Sequence, residues 1–209
     1  MKFKAVAWDI DGTLVDSEPL HHQALLAASL HFGCDLSDLP DQAFRGVHMH
    51  DVWDILRPRL PQDLDEVSWL RGIDAHYVAN TQHLRPIADA VAAVKQLAAR
   101  GIPQVCVSNS DRSVVDANLA ALGIVGDIAF SISLDDVENG KPDPEPYLTA
   151  CTRLGLAPAA VVAIEDSRSG ALSARRAGLT IVGYAATGGG FEDVDYVISD
   201  FSGFMALIA

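Results

Sequence analysis

Positive charge is scarce in this sequence of 209 residues. Lysine and arginine number 15 against 28 aspartates and glutamates, so the formal net charge is −13 and the isoelectric point is near 4.7. Nucleic acids and anionic membranes carry the same sign, so this balance argues against non-specific attraction to either. The lysines are Lys2, Lys4, Lys95 and Lys141. A small anionic substrate would therefore need a positive site that is built locally.

Cysteine and long apolar runs are scarce as well. Cys34, Cys106 and Cys151 are odd in number and widely spaced, which indicates reduced thiols rather than a disulfide framework. No secretory signal pattern opens the sequence, and no apolar stretch is long enough to span a bilayer. We therefore expect a soluble, cytoplasmic protein with no nucleic-acid or membrane partner. Composition leaves the oligomeric state open.

The apolar residues that are present, 49% of the chain, suffice for one sizeable core or for a core with a small accessory domain. The run at 3–8 lacks polar alternation, which favours a strand that is covered on both faces. Helices are predicted at 87–99, 112–122, 145–154 and 168–177, and further strands at 103–110, 128–132, 161–167 and 179–184. This alternation predicts an α/β fold with a doubly wound, Rossmann-like parallel sheet.

Between about residues 18 and 85 the pattern changes to apolar residues at helical spacing, with no convincing strand. Leu25, Leu26, Leu30 and Phe32 form one such stripe, which is predicted to be core. We therefore expect a core of residues 1–16 and 86–209, with a helical domain of residues 17–85 inserted after the first strand. A domain held by two short connections can act as a lid.

Four polar clusters punctuate the core: "WDIDG" and "VSNS" after strands, "GKPDPEPY" before a helix, and "IEDS" after a strand. The carboxyl ends of the strands in a doubly wound sheet share one edge, so we expect these clusters to meet. They would gather the carboxylates of Asp9, Asp11, Glu165 and Asp166, which requires a neutralising cation. Oxygen ligands suit Mg²⁺, whose remaining positions are filled by water and phosphate oxygens. The clusters therefore predict phosphate chemistry.

The same clusters supply groups that could hold a phosphate. Ser108 and Ser110 offer hydroxyl donors at a strand end. Lys141 is flanked by Pro142 and Pro144, which restrict the backbone around it. A fixed ammonium at this point could balance the charge on a phosphoryl group during its transfer.

The segments "DIDGTLVDSE", "VSNS", "GKPDPEPY" and "IEDSRSGALSARRAG" resemble, in order and spacing, the four motifs of the haloacid dehalogenase-like (HAD) hydrolases. The resemblance covers essentially the whole chain, and the insert lies where subfamily I members carry a helical cap. It implies that Asp9 is a nucleophile that forms an aspartyl-phosphate, and that Asp11 is the general acid and then the general base.

The resemblance also implies that Ser108 and Lys141 bind the phosphoryl group. It implies a Mg²⁺ cofactor bound by the Asp9 carboxylate, the backbone carbonyl of Asp11 and the side chain of Asp166. Glu165, beside Asp166, is a further candidate ligand. Ser167 is expected to cap the helix that follows.

The expected activity is that of a Mg²⁺-dependent phosphatase acting on a small phosphate monoester, of sugar phosphate or phosphoglycolate type. The β-phosphoglucomutase-like group is the closest alternative. The arginine and lysine that grip a second phosphate in that group align here with Met49 and Ile73, although the neighbouring Arg45 and Arg71 could compensate. Asp11 argues against a dehalogenase, which lacks a second aspartate. A non-catalytic sensor of phosphorylated metabolites would not need a nucleophile and an acid side by side.

Candidate substrate-binding residues complete the prediction. In the core they are Ser108, Asn109 and Lys141. In the insert, Gly46, Val47 and His48 occupy a segment that faces substrate in relatives, and a solvated helix start is an equal alternative for that segment. His21, one turn into the first inserted helix, either contacts the leaving group or packs. His48 and His50 are two residues apart without a third ligand nearby, which argues against zinc.

Overall fold

Strands and helices alternate along most of the chain in the computed structural model, which describes residues 3–40, 43–44, 47, 49–185 and 194–208. The strands are β1 (Ala5–Trp8), β2 (Val15–Asp16), β3 (Arg85–Pro86), β4 (Gln104–Val107), β5 (Phe130–Ile132), β6 (Val161–Glu165), β7 (Thr180–Tyr184) and β8 (Tyr196–Ile198). The helices are α1 (Glu18–His31), α2 (Met49–Leu56), α3 (Glu66–Ala79), α4 (Ala88–Ala99), α5 (Arg112–Leu122), α6 (Glu145–Leu154), α7 (Arg168–Ala177) and α8 (Phe204–Ile208).

Six of the strands form one parallel sheet in the order β5-β4-β1-β6-β7-β8. β1 lies between β4 and β6, with Val6 opposite Gln104 on one side and Val162 on the other. Every residue of β1, β4 and β6 is buried, as in a parallel sheet covered by helices. The predicted doubly wound α/β fold is therefore confirmed.

Local sequence signals set the limits of α7. The Ser167 hydroxyl accepts a hydrogen bond from the backbone N–H of Gly170 at 3.1 Å, which satisfies one of the donors left free at a helix start. The expected cap is therefore confirmed. At the other end, Gly178 has a φ of +85°, in the left-handed region that closes many helices and that glycine adopts without strain.

The chain divides into two compact units, Met1–Asp16 with Arg85–Ala209, and Ser17–Leu84. In the second unit, α1 packs against α3, and the indole N–H of Trp69 donates to Ser29 Oγ at 3.0 Å. The ring of Trp53 lies 5.4 Å from that of Trp69. Leu25 is buried as predicted, but Leu30 is 62% exposed, so the predicted core role of Leu30 is wrong.

A short two-stranded sheet lies in the first unit at the two points where the chain enters and leaves the second unit. β2 pairs antiparallel with β3, with Val15 opposite Pro86 and Asp16 opposite Arg85. The Ile87 N–H extends this sheet by donating to the Leu14 carbonyl at 2.9 Å. The two chain connections that flank the inserted unit therefore leave the core side by side.

The structure also bears on the expectations about membrane-spanning segments and about the three cysteines. Among the described helices, none combines the length and the apolar character that a bilayer crossing requires. Cys34, Cys106 and Cys151 are all buried free thiols. Burial, with the Asp9 charge nearby, raises the pKa of the Cys106 thiol well above its usual range, so this cysteine is held protonated and unreactive.

Candidate active site

The predicted convergence occurs at the carboxyl edge of the parallel sheet, around Lys141. Its Nζ atom lies 2.8 Å from Asp9 Oδ1 and 2.7 Å from Glu165 Oε1, and it donates to the Val107 carbonyl at 2.7 Å. Asp9 follows β1, Val107 ends β4 and Glu165 ends β6. Three adjacent strands thus present their ends to one ammonium group, from positions up to 132 residues away in sequence.

Lys141 is held charged in a buried position. Its side chain is 4% exposed, and those of Asp9 and Glu165 are 10% and 0% exposed. Burial disfavours the ammonium, but the two carboxylates outweigh that effect and raise the pKa of Lys141 above its usual range. The ammonium is therefore a fixed positive charge at neutral pH, in a chain where positive charge is scarce.

Three carboxylates form a cluster beside this ammonium. One oxygen each from Asp9, Glu165 and Asp166 lie within 4.8 Å of one another. Burial raises the pKa of all three above that of an ordinary carboxyl group; Lys141 opposes the shift at Asp9 and Glu165, and the Asp9 charge adds to it at Asp166. Lys141 is the one ammonium in contact with the cluster among the described residues, so the fully ionised cluster would carry two uncompensated negative charges.

The cluster has the properties of a site for a divalent cation. All its ligand atoms are carboxylate oxygens, which suit Mg²⁺. Asp9 Oδ2 is buried and has no hydrogen-bond partner among the described residues, although buried polar atoms are normally paired. A cation of charge +2 would supply the missing partner and cancel the excess charge. The residues therefore fit the expected metal.

Glu165 is the most heavily bonded member of the cluster. Its Oε1 accepts hydrogen bonds from Lys141 Nζ and from the Tyr147 hydroxyl, and its Oε2 accepts from Ser167 Oγ at 3.4 Å. The ring of Tyr147 also lies 5.4 Å from Lys141 Nζ. Glu165 is therefore tied into the protein, whereas Asp9 and Asp166 are the better-placed donors for an ion.

The carboxyl group of Asp11 makes a different set of contacts. Its Oδ2 accepts from Ser110 Oγ at 3.0 Å and from Ser108 Oγ at 3.3 Å, and its Oδ1 accepts from Asn118 Nδ2 at 3.3 Å. The sequence predicts that all four acids crowd together. The structure separates the roles, because Asp9 contacts the ammonium while Asp11 contacts hydroxyl and amide donors.

Asn109 connects the end of β4 to the lysine loop. Its side-chain oxygen accepts from the Lys141 N–H at 2.7 Å, and its side-chain nitrogen donates to the Lys141 carbonyl at 2.9 Å. The amide therefore pairs with the Lys141 backbone at both ends, as a neighbouring strand would. These two hydrogen bonds fix the position of the Lys141 backbone relative to the end of β4. They also occupy the side chain of Asn109, which the sequence predicts to bind substrate.

Comparison with known proteins identifies the fold and the family. A model of the haloacid dehalogenase-like hydrolases matches residues 3–178. The chain belongs to that family. Validoxylamine A 7'-phosphate phosphatase of Streptomyces hygroscopicus subsp. limoneus is 30% identical over 88% of this chain and 87% of its own length. A phosphoglycolate phosphatase of Yersinia pseudotuberculosis is 31% identical over 88% of this chain and 82% of its own.

The crystal structure of CbbY from Rhodobacter sphaeroides in complex with phosphate superimposes with a TM-score of 0.87, at 22% identity, over 96% of this chain and 95% of that one. At that identity the likeness establishes the fold. The predicted membership of the HAD hydrolases, and with it the enzyme class of hydrolase, is confirmed.

Two glycines of the hydrolase make room for the acidic cluster. Gly12 has a φ of +84°, and a Cβ atom there would lie 1.9 Å from Asp166 Oδ2. A Cβ atom at Gly170, in α7, would lie 1.8 Å from Glu165 Oε2. Both distances are far inside van der Waals contact, so any side chain at these positions would displace a carboxylate.

Replacing Gly170 with alanine is expected to destabilise the hydrolase by about 1–3 kcal/mol, the usual cost of overpacking. In an ordinary helix interior the same change stabilises by about 1 kcal/mol, so the sign itself is diagnostic. The matched control is Ser169→Ala at the exposed neighbouring position, where we expect a change below about 0.5 kcal/mol. Urea unfolding measures both, and a more stable Gly170→Ala protein would contradict the packing argument.

The candidate residues of the inserted unit have less definite surroundings. His21 is half-buried and its ring stacks on Tyr77 with centroids 4.4 Å apart, a contact within that unit. Val47 is 37% exposed. Gly46 and His48 lie outside the described residues, as does Arg45. Their predicted roles stay predictions.

Two residues of the site were missed in the sequence. Tyr147 and Asn118 are both fully buried, and their polar groups contact Glu165 and Asp11. The sequence does contain a pattern that could have identified Asn118 as a site residue. Asn118 shares the buried face of α5 with Val115, Leu119 and Leu122, so a polar residue interrupts an otherwise apolar stripe.

Proposed function

We propose that this hydrolase is a Mg²⁺-dependent phosphatase that acts on a small phosphate monoester through an aspartyl-phosphate formed on Asp9. The observation that carries the proposal is the state of Asp9. One of its oxygens is held by Lys141, the other is buried without a hydrogen-bond partner among the described residues, and the carboxylate belongs to an oxygen cluster suited to a divalent cation. A carboxylate in that state is fixed in place and keeps one oxygen available to a cation.

The neighbouring groups fit the steps that such a reaction needs. The Asp9 carboxylate attacks phosphorus, and Asp11 donates a proton to the leaving oxygen and later takes one from water. The Ser108 hydroxyl and the Lys141 ammonium bind the phosphoryl oxygens, where negative charge accumulates. Asp9 and Asp166, with the Asp11 backbone carbonyl, would hold Mg²⁺, which supplies charge neutralisation for the phosphoryl group.

The relatives support a small phosphorylated substrate. One of them is a validoxylamine A 7'-phosphate phosphatase and another a phosphoglycolate phosphatase, so we infer a phosphate ester of sugar or glycolate type. A cytoplasmic location is an expectation from the three free cysteines.

The phosphomutase alternative is less well supported. A mutase must bind a substrate at two phosphate-binding ends, and the two aligned positions are Met49 and Ile73. Ile73 is 3% exposed and packs inside the inserted unit. It offers no charge-assisted hydrogen bond to a second phosphate, a contact typically worth about 1.5–3 kcal/mol.

The experiment is a screen for phosphate release across sugar phosphates, phosphoglycolate, polyol phosphates and nucleotides, with glucose 1-phosphate isomerisation followed in parallel. We expect release from at least one sugar or glycolate ester and no isomerisation. Isomerisation without net release would favour the mutase. Absence of turnover by folded protein on the whole panel would favour a phosphometabolite sensor and overturn the proposal.

Removal of divalent cations provides a separate prediction. Treatment with EDTA should reduce phosphate release to background, and added Mg²⁺ should restore it, because the cation would offset the carboxylate charge that repels an anionic substrate. Mg²⁺ should also raise the melting temperature of the free enzyme. Asp166→Asn should remove that rise, while Asp63→Asn, at an exposed position in the other unit, should keep it. Full turnover in EDTA would contradict the metal assignment.

A further inference from the structure

The strongest unexplained feature of the core is the amide of Asn118. It lies in the middle of α5, on the face that also carries Val115, Leu119 and Leu122, and it is 0% exposed. Asparagine favours helices poorly, and a buried amide is costly unless it is hydrogen-bonded. An aliphatic residue would suit this position better on both counts. The position therefore calls for a reason beyond packing.

The reason lies in the contact that Asn118 makes. Its Nδ2 donates to Asp11 Oδ1 at 3.3 Å, across 107 residues of sequence. The other carboxyl oxygen, Oδ2, accepts from Ser110 Oγ at 3.0 Å and from Ser108 Oγ at 3.3 Å. Ser108 Oγ also accepts from the Ser110 N–H at 3.0 Å. The carboxyl group of Asp11 is thus held from both ends, and Asn118 is the contact on the side away from the two serines.

We propose that Asn118 is a positioning residue that orients the Asp11 carboxyl group for general acid catalysis. This inference rests on the proposed function. An amide N–H donates and cannot accept, so Oδ1 stays an acceptor, whereas the serine hydroxyls that contact Oδ2 can rotate to accept a hydrogen bond; the proton of the acid form therefore lies on Oδ2. Oδ2 is the oxygen that faces Ser108, and Ser108 is the proposed ligand of the phosphoryl group. The amide therefore selects both the rotation of the carboxyl group and the oxygen that carries the proton.

The step that depends on this orientation is the first half of the reaction. The Asp9 carboxylate forms a bond to phosphorus while the bond from phosphorus to the ester oxygen breaks. The electron pair of that bond goes to the ester oxygen, which takes the proton from Asp11 Oδ2, and Asp11 becomes a carboxylate. An alkoxide leaving group requires this proton, whereas 4-nitrophenolate leaves as a stable anion without it. The need for Asn118 should follow the need for the proton.

The test compares leaving groups in the Asn118→Leu enzyme. Leucine has nearly the shape of asparagine and removes the donor. We measure kcat/KM, which reports aspartyl-phosphate formation, for an alkyl phosphate, phenyl phosphate and 4-nitrophenyl phosphate. We expect a loss of at least about tenfold with the alkyl ester, because general acid catalysis contributes about 10²–10⁴-fold. With the nitrophenyl ester we expect a loss below about threefold.

Two further variants separate positioning from general damage. Asn118→Ser keeps a donor and should recover part of the alkyl rate. Asn109→Ala releases the Lys141 loop, which acts on the phosphoryl group itself, and should lower kcat/KM for all three esters alike. Melting temperatures verify that each variant is folded.

The outcomes are distinct. Equal losses with all leaving groups in Asn118→Leu, or no loss with the alkyl ester, would overturn the positioning role. If the unsubstituted enzyme released phosphate from no ester at all, the proposed function would fail, and this inference with it. That result is separable, because it appears before any variant is made.

Discussion

We expect Asp9→Asn to abolish phosphate release while the core remains folded, which is the largest effect that the site predicts. Asparagine keeps the shape but cannot form the acyl-phosphate bond, so we expect turnover to fall by at least about 10⁴-fold, towards the background. Stability should change little. The substitution breaks the contact to Lys141, but it also removes one of three clustered negative charges in a buried site.

The control is the same change at the exposed Asp63 of the inserted unit, which should leave turnover and melting temperature at their original values. Phosphate release and thermal unfolding are measured on all three proteins side by side. Activity near that of the unsubstituted enzyme in Asp9→Asn would refute the nucleophile assignment, whatever the unfolding data.

Lys141→Met has the second largest expected effect, and it extends to stability. Methionine approximates the aliphatic stem but removes the charge that offsets Asp9 and Glu165. Removing one partner of a buried pair typically costs about 3–5 kcal/mol, because the remaining charges are left uncompensated. Turnover should fall by at least about 10³-fold, because a fixed charge on the phosphoryl group is lost. Urea unfolding and phosphate release measure the two effects.

A second substitution distinguishes the electrostatic reason from loss of packing. Glu165→Gln in the Lys141→Met background removes one of the uncompensated charges, so it should recover part of the lost stability but none of the activity. Lys95→Met, at an exposed position on α4, is the matched control and should alter neither. A double variant no more stable than Lys141→Met alone would indicate that packing, and not charge, explains the loss.

The part of the site that the sequence predicts is the part fixed by sheet topology. Parallel strands with helical crossovers place their carboxyl ends at one edge of the sheet. The strand pattern alone therefore predicts that Asp9, Ser108 and Asp166 lie close together. The start of a helix can also be predicted from the sequence where a capping residue is present. Ser167 is expected from the sequence to cap α7, and it does so in the structure.

The parts that escaped prediction depend on tertiary contacts or on very short segments. β2 and β3 are two residues each, too short for any periodicity, and they exist because the connections to the inserted unit run side by side. β8 and α8 have weak patterns and follow a segment outside the described residues. Leu30 fits a helical stripe, but exposure depends on what packs against α1, which spacing does not specify.

The roles within the acidic cluster depend on contacts that the sequence does not specify. The sequence places Glu165 and Asp166 side by side with equal claims on a metal. Only the structure reveals that Glu165 is hydrogen-bonded to Lys141 and Tyr147, while one buried oxygen of Asp9 has no hydrogen-bond partner within the described part of the chain. The same holds for Asn118, whose contact with Asp11 spans 107 residues.

The proposed reaction requires a covalent bond between Asp9 and the transferred phosphoryl group. The most direct test mixes enzyme, Mg²⁺ and a substrate from the screen, stops turnover with acid within milliseconds, and examines the amino-terminal peptide by mass spectrometry. The predicted result is a peptide heavier by one phosphoryl group, with the added mass on Asp9 and absent from the Asp9→Asn protein. Rapid turnover with no phosphoryl group on Asp9, or with the group on another residue, would contradict the account.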